Sequence, residues 1–166
     1  LSPSQTELSA VSLAIQGVSL QILSAPPASQ SASEQNVAQL VFVAAVRNSN
    51  NQVRNVLVGR TSLHSNPFAL PVVQSLQSIN TLGAQAFLVD GQQQIVIAPF
   101  AAALLQTYGG QSGTSALAYE EAAQDGARVL VRYQPVSGSN WAVVARWPAS
   151  LAQQRALQLA LPILGV

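Results

Sequence analysis

The sequence predicts an α+β fold: an antiparallel sheet flanked by helices and preceded by a three-strand meander. Three observations carry that expectation. Two Asp-Gly pairs, Asp90-Gly91 and Asp125-Gly126, sit beside apolar runs of strand length; such pairs signal hairpins, because a type I′ turn needs positive φ, which Gly adopts freely and Asp tolerates. Upstream, a Val-rich run at 39–47 and a return at 52–60 flank Asn48-Ser49-Asn50-Asn51. Between the two groups, apolar residues recur at spacings of four and three, the period of a helix face.

Taken in order, residues 1–10 read as a frayed lead-in. From Val11 to Leu23, apolar residues alternate with polar or small ones, and Gly17 interrupts the phase; this predicts two short strands, or one strand bent at a bulge. Residues 25–36, with Pro26-Pro27 and a Ser/Gln/Ala cluster, read as a loop. The runs at 39–47 and 52–60 complete the meander. Asn66-Pro67 opens a helix whose face is Phe68, Val72, Leu76, Ile79 and Leu82; Pro71 belongs in its first turn and Gly83 stops it. The first hairpin pairs 84–89 with 92–98. The second pairs 127–136 with 141–147. Residues 101–108 suggest a short helix ending at Gly109-Gly110, and 117–122 either a strand or a helical turn. Pro148 is placed to start a last helix, which Pro162 stops or kinks.

Composition excludes several classes. With 8% charged residues and a net charge of +1, the chain has no electrostatic footprint for nucleic acid. It has no Cys, hence no disulfide, thiolate metal site or cysteine nucleophile, and no apolar run reaches the roughly 18 residues of a membrane span. It opens at Leu1 without a signal-like segment, which fits a piece of a longer protein. The apolar ending 161–166 fits either a lead into a membrane or a helix tail packed on the core.

The chemistry-bearing residues are few. His64 is the only histidine and has no acidic residue at a ligand spacing, so no metal site is expected. Gly-x-Ser-x-Gly is absent, and a phosphate loop ending in Gly-Lys-Ser/Thr cannot exist without lysine. No cofactor and no enzymatic activity are expected. Glu120 and Glu121 are adjacent, so on a strand they point to opposite faces; they read as solvated surface. Arg132 and Tyr133 also face opposite sides. A cavity-facing Arg132 would hold a carboxylate by bidentate hydrogen bonds, with Tyr119 as an aromatic wall. The candidate ligand-binding residues are Tyr119, Arg132, Tyr133 and Trp141. Against that stands the plainer reading, in which Tyr133 and Trp141 are core and Arg132 and Arg146 are solvated cross-strand neighbours.

The run Gly83…Ala86-Phe87-Leu88-Val89-Asp90-Gly91…Ile95-Val96-Ile97-Ala98-Pro99 resembles the opening of a Cache domain, the extracytoplasmic relative of the PAS fold, although the histidine usual before that proline is missing. Asp125-Gly126…Val129-Leu130-Val131-Arg132-Tyr133-Gln134-Pro135-Val136…Asn140-Trp141-Ala142-Val143-Val144…Pro148 is similar to its closing segment. The upstream meander resembles the last strands of the membrane-distal module in double-Cache sensors. The resemblance implies three parts: 1–63, the tail of a distal module; 64–83, a connecting helix; and 84–166, a proximal PAS-like module whose last helix leads towards the membrane. It further implies an extracytoplasmic, periplasmic or cell-surface sensing segment of a bacterial transmembrane signalling protein, with a histidine kinase, nucleotide cyclase or chemoreceptor as output. The implied partners are a small-molecule ligand (an amino acid or organic acid), the membrane through flanking segments, and a second copy in a full-length homodimer. The alternative is a structural or adhesive surface module without a small-molecule site.

Overall fold

The computed structural model describes residues 4–27, 35–123 and 125–154. The first element corrects the sequence reading: Gln5–Ile15 is a helix, α1, where a lead-in and a strand were expected. Its start is a capping box, with Ser4 Oγ accepting from the Glu7 N–H and the Glu7 carboxylate accepting from the Ser4 N–H, so two otherwise orphaned donors are satisfied. The buried positions are Glu7, Ala10 and Ala14. Two alanines let the helix lie close on the strand beneath it, and the larger Leu13 and Ile15, which imitate strand alternation, stand exposed. Gly17, at φ 108°, turns the chain into the first strand.

β1 (Leu20–Ala25), β2 (Gln39–Arg47) and β3 (Val53–Ser62) form an antiparallel sheet in that order, so the meander is borne out with its first strand beginning later. The β2–β3 turn is held by Asn48 Oδ1, which accepts from the N–H groups of Asn50 and Gln52. One face of this sheet packs Val41 and Val43 under Ala10 and Ala14. The helix is also tied down at Glu7, whose Oε1 accepts from Arg60 Nε at 2.9 Å and Nη2 at 2.8 Å. By the register, Leu20, Ile22, Phe42, Ala44 and Leu57 share the other face, and Leu57 is 64% exposed there.

α2 (Leu70–Thr81) carries Pro in its first turn, as expected, and Gly83 follows it at φ 85°. Its buried face keeps Leu76 and Ile79 of the expected stripe but takes Val73 and Ala69 in place of Val72 and Phe68, and leaves Leu82 exposed. Val73 and Leu76 go into the core, joined at the edge by Ala69 and Ile79, and Phe68 is 91% exposed. The inward stripe therefore runs 69, 73, 76, and the ring of Phe68, lying before the helix, is out of phase with it.

The second sheet has five strands in the order β5-β4-β8-β7-β6, from β4 (Gln85–Val89), β5 (Ile95–Ile97), β6 (Leu117–Ala122), β7 (Arg128–Pro135) and β8 (Ala142–Pro148). Both hairpins form, and 117–122 resolves as a strand. The Asp90-Gly91 turn is not type I′. Positive φ falls on Gln93, and Asp90 Oδ1 accepts from the N–H groups of Gln92 and Gln94. Gly91 instead leaves room for the exposed Asn140 side chain, which a Cβ there would have to displace. Residues 101–108 hold only one 3-10 turn, Ala101–Ala103, in place of the expected helix. Beyond it Leu105 takes φ 60°, and the chain pairs along the edge of β5 through the Leu105 N–H to Ile95 C=O and Ile95 N–H to Gln106 C=O bonds. Pro148 is the last residue of β8, opposite Val129, and not the first of a helix; residues 149–154 are helical. The readings made for 1–3, for 28–34 and for 155–166, including Pro162 and the apolar ending, lie outside the described residues.

α2 covers one face of the five-stranded sheet, packing Val73 and Leu76 on Ala86, Leu88 and Val96. The opposite face gathers Phe87, Val89, Val129, Val131, Tyr133, Ala142 and Val144. Residues 36–38 stitch the two sheets together: the Ala38 N–H donates to Val96 C=O and the Ala98 N–H to Asn36 C=O, both at 2.8 Å.

Candidate functional site

The face of the sheet opposite α2 is roofed by residues 98–110, and between roof and strands lies a cavity of about 280 Å³. Strand alternation decides what lines it. On β4, Gln85 and Phe87 point to this face. On β8, Arg146 sits opposite Gln85 and Val144 opposite Phe87, so Arg146 belongs to the cavity side. On β6, Tyr119 and Glu121 share that side, because their partners on β7 are Val131 and Val129. The roof adds Pro99, Phe100, Ala103, Thr107 and Tyr108.

The polar wall is an ion pair. Arg146 Nη2 meets Glu121 Oε1 across β7, so the pair ties β6 to β8. Arg146 Nη1 reaches Gln85 Oε1 at 3.5 Å, the limit of a hydrogen bond. Arg146 Nε is buried without a partner among the described residues. An unmet buried donor costs about 1–3 kcal/mol, so this arginine is held one hydrogen bond short.

Beside it the hydroxyls of Tyr108 and Tyr119 meet at 2.6 Å, and the Gln111 N–H donates to Tyr119 Oη at 3.0 Å. Burial, then the hydrogen bond with Tyr119, pushes the Tyr108 phenol above its ordinary range. Both effects favour the neutral form. Gly110 lies over this pair so closely that a Cβ would strike both hydroxyls. Tyr108 also packs on Phe87, with centroids 5.6 Å apart, and stacks on Tyr133 at 6.3 Å. Roof and sheet are thus joined by an aromatic column as well as by backbone bonds.

The four residues singled out from sequence do not converge. Tyr119 and Tyr133 lie on the cavity face, Tyr119 behind the Tyr108 hydroxyl and Tyr133 buried beneath the ring. Arg132 is on the opposite face, exposed, with Nη2 3.5 Å from Gln134 Oε1. Trp141 is half-buried and packs, like Leu40 and Val143, against the core cluster under α2. The reading of Arg146 and Glu121 as solvated residues is corrected: they form the charged wall, and only Glu120 has an outward partner, Arg128. Parity was the missed signal, since Arg146 is in phase with Val144 and Ala142 rather than with Trp147.

No family model matches the chain, and no curated protein matches it. Solved structures do. The chain is similar to the ligand-binding domain of the amino acid chemoreceptor PctC of Pseudomonas aeruginosa PAO1, in complex with GABA (TM-score 0.59, 19% identity, 89% of this chain and 65% of that one). It is similar to the ligand-binding domain of Mlp24 with asparagine (0.62, 14%, 92% and 62%). It is also similar to the periplasmic sensory domain of the Campylobacter jejuni chemoreceptor Tlp1 (0.57, 14%, 87% and 55%). The chain therefore spans between 55% and 65% of the length of these three. At such identities the likeness establishes fold: this is the α+β, Cache-like fold of periplasmic ligand-binding domains, as the resemblance at 84–147 implied. No helix among the described residues is long and apolar enough to cross a membrane.

Proposed function

We propose that the chain is an extracytoplasmic small-molecule-sensing segment of a bacterial transmembrane signalling protein, and that the roofed cavity is its ligand site. The observation that carries the reading is the cavity's construction: an ion pair, a tyrosine pair and an apolar wall are assembled from four separate stretches of chain around about 280 Å³. That volume lies just below the usual range of ligand pockets, which fits a compact molecule such as an amino acid. The fold shared with domains bound to GABA and asparagine supports the same class.

In this reading residues 4–63 are the tail of a distal module and the five-stranded sheet is the proximal module. The shared 62–65% of the longer ligand-binding domains supports this, as does the open apolar face of the first sheet. Signalling is a shift between two arrangements of β8. Arg146 lies three positions before the helical residues 149–154, so a ligand that binds differently to two settings of that arginine moves the start of the helix. A ligand with equal affinity for both settings shifts nothing. The output is a chemoreceptor or kinase domain beyond the membrane.

The test is a calorimetric and thermal-shift screen against amino acids, organic acids and amines, run on the chain and on Ala103→Trp, which fills the cavity from its roof. Binding that the variant abolishes, with an unchanged circular dichroism spectrum, supports the reading. Binding that the variant leaves intact sinks it.

A further inference from the structure

We propose that the cavity selects a compact molecule of zero net charge that carries a carboxamide-type edge, and rejects simple anions and cations. The inference rests on the reading of this cavity as the ligand site. Among the described residues, Glu121 and Arg146 are the only charged ones in its lining, and they already neutralise each other. A carboxylate entering beside them must either displace Glu121 or add an uncompensated negative charge where solvation is reduced. An ammonium faces the mirror problem at Arg146. Either charge loses hydration without gaining a free counter-ion.

The wall lacks hydrogen bonds rather than charge. Among the described residues, Arg146 Nη1 has only its long contact with Gln85. Glu121 meets Arg146 through Oε1, and a carboxylate can accept further hydrogen bonds on its second oxygen. The pair thus keeps donor capacity on the guanidinium and acceptor capacity on the carboxylate. A carbonyl oxygen taking the Nη1 proton, with the neighbouring amide N–H donating to Oε2, satisfies both and leaves the ion pair whole. Hydrogen bonds to charged groups are stronger than neutral ones, so this edge is favoured without any change in charge. Phe87, Ile95 and Phe100 provide the apolar remainder of the lining, suited to a carbon frame.

Three isosteric probes separate the possibilities: benzamide (neutral), benzoate (anion) and benzamidine (cation), titrated by calorimetry into the chain and into Glu121→Gln and Arg146→Gln. Benzamide is expected to bind the chain at least about tenfold more tightly than either charged probe. Glu121→Gln frees the arginine and moves the preference to benzoate. Arg146→Gln frees the carboxylate and moves it to benzamidine. A chain that prefers benzoate or benzamidine, or variants that keep the parent's ranking, overturns the neutral-ligand inference while leaving the cavity a ligand site. Silence from all three probes in all three proteins overturns the inference and counts against the cavity as a ligand site as well.

Discussion

The Arg146–Glu121 pair offers a quantitative test, because it alone among the described ion pairs joins β6 to β8. Two unit charges about 4 Å apart attract by roughly 4 kcal/mol at an effective dielectric of about 20. Both side chains keep some contact with water, Arg146 at 32% exposure and Glu121 at 25%. Lost solvation and side-chain ordering therefore take back most of the gross attraction, and a net coupling of about 1–2 kcal/mol is expected. The perturbation is a double-mutant cycle through Glu121→Gln, Arg146→Gln and the double variant, followed by urea unfolding. Each single replacement strands a partner beside the Tyr108 ring and costs more than the double replacement corrected for the other site. For a chain of this size each kcal/mol lost lowers Tm by about 2–4 °C. A coupling below about 0.2 kcal/mol, under even the roughly 0.2–1 kcal/mol of exposed pairs, refutes the claim that this bridge fastens the edge of the sheet.

Replacing Glu7 by Ala removes the acceptor for the Ser4 N–H and for two Arg60 donors; a loss of about 2–4 kcal/mol in urea unfolding is expected. The Ser4 N–H bond first, and Arg60 next, hold the Glu7 pKa below its ordinary value against the effect of burial. Its contribution is thus present above the unfolded value of about 4.3 and disappears as pH falls through the lower folded value, so the variant should lose less stability on acidification than the parent. Tyr119→Phe breaks the hydroxyl pair and the Gln111 contact, with about 1–2 kcal/mol expected. The raised Tyr108 pKa makes its contribution full below about pH 10 and lost as pH climbs beyond. The variant should therefore show a shallower alkaline decline in unfolding midpoint, and an equal decline would show that Tyr119 contributes nothing to it.

What sequence reveals here is what short-range chemistry dictates. The strand at 39–47 is legible because a Val-rich run ends at an Asn turn, and both hairpins of the second sheet are legible for the same local reason. α1 escapes because its inward face is made of Ala10 and Ala14, which carry little hydropathy signal, while the outward Leu13 and Ile15 mimic a strand. Its cap, Ser4 with Glu7, is the cue that identifies it. In α2 the large ring of Phe68 weighs on the periodicity and yet points to solvent, so the stripe reads correctly at Leu76 and Ile79 and one position off at its start. The cavity is less legible because its parts are distant in the chain. Glu121 and Arg146 meet only through the register of β6 on β7 and of β7 on β8. Arg132 draws attention by lying beside Tyr133, and that adjacency is what sends it to the other face.

The strand order has a further consequence for how the molecule is made. β8, the last of the described strands, occupies the middle of its sheet, with β4 on one flank and β7 on the other. During synthesis β4–β5 and β6–β7 emerge as two separate ribbons, each with an unzipped side, and neither can join the other until residues 142–148 arrive as the keystone. Such distant pairings are slow to form. Ribosome-stalled chains ending before residue 142 should therefore be protease-sensitive in both ribbons, and release of one final segment should protect both together.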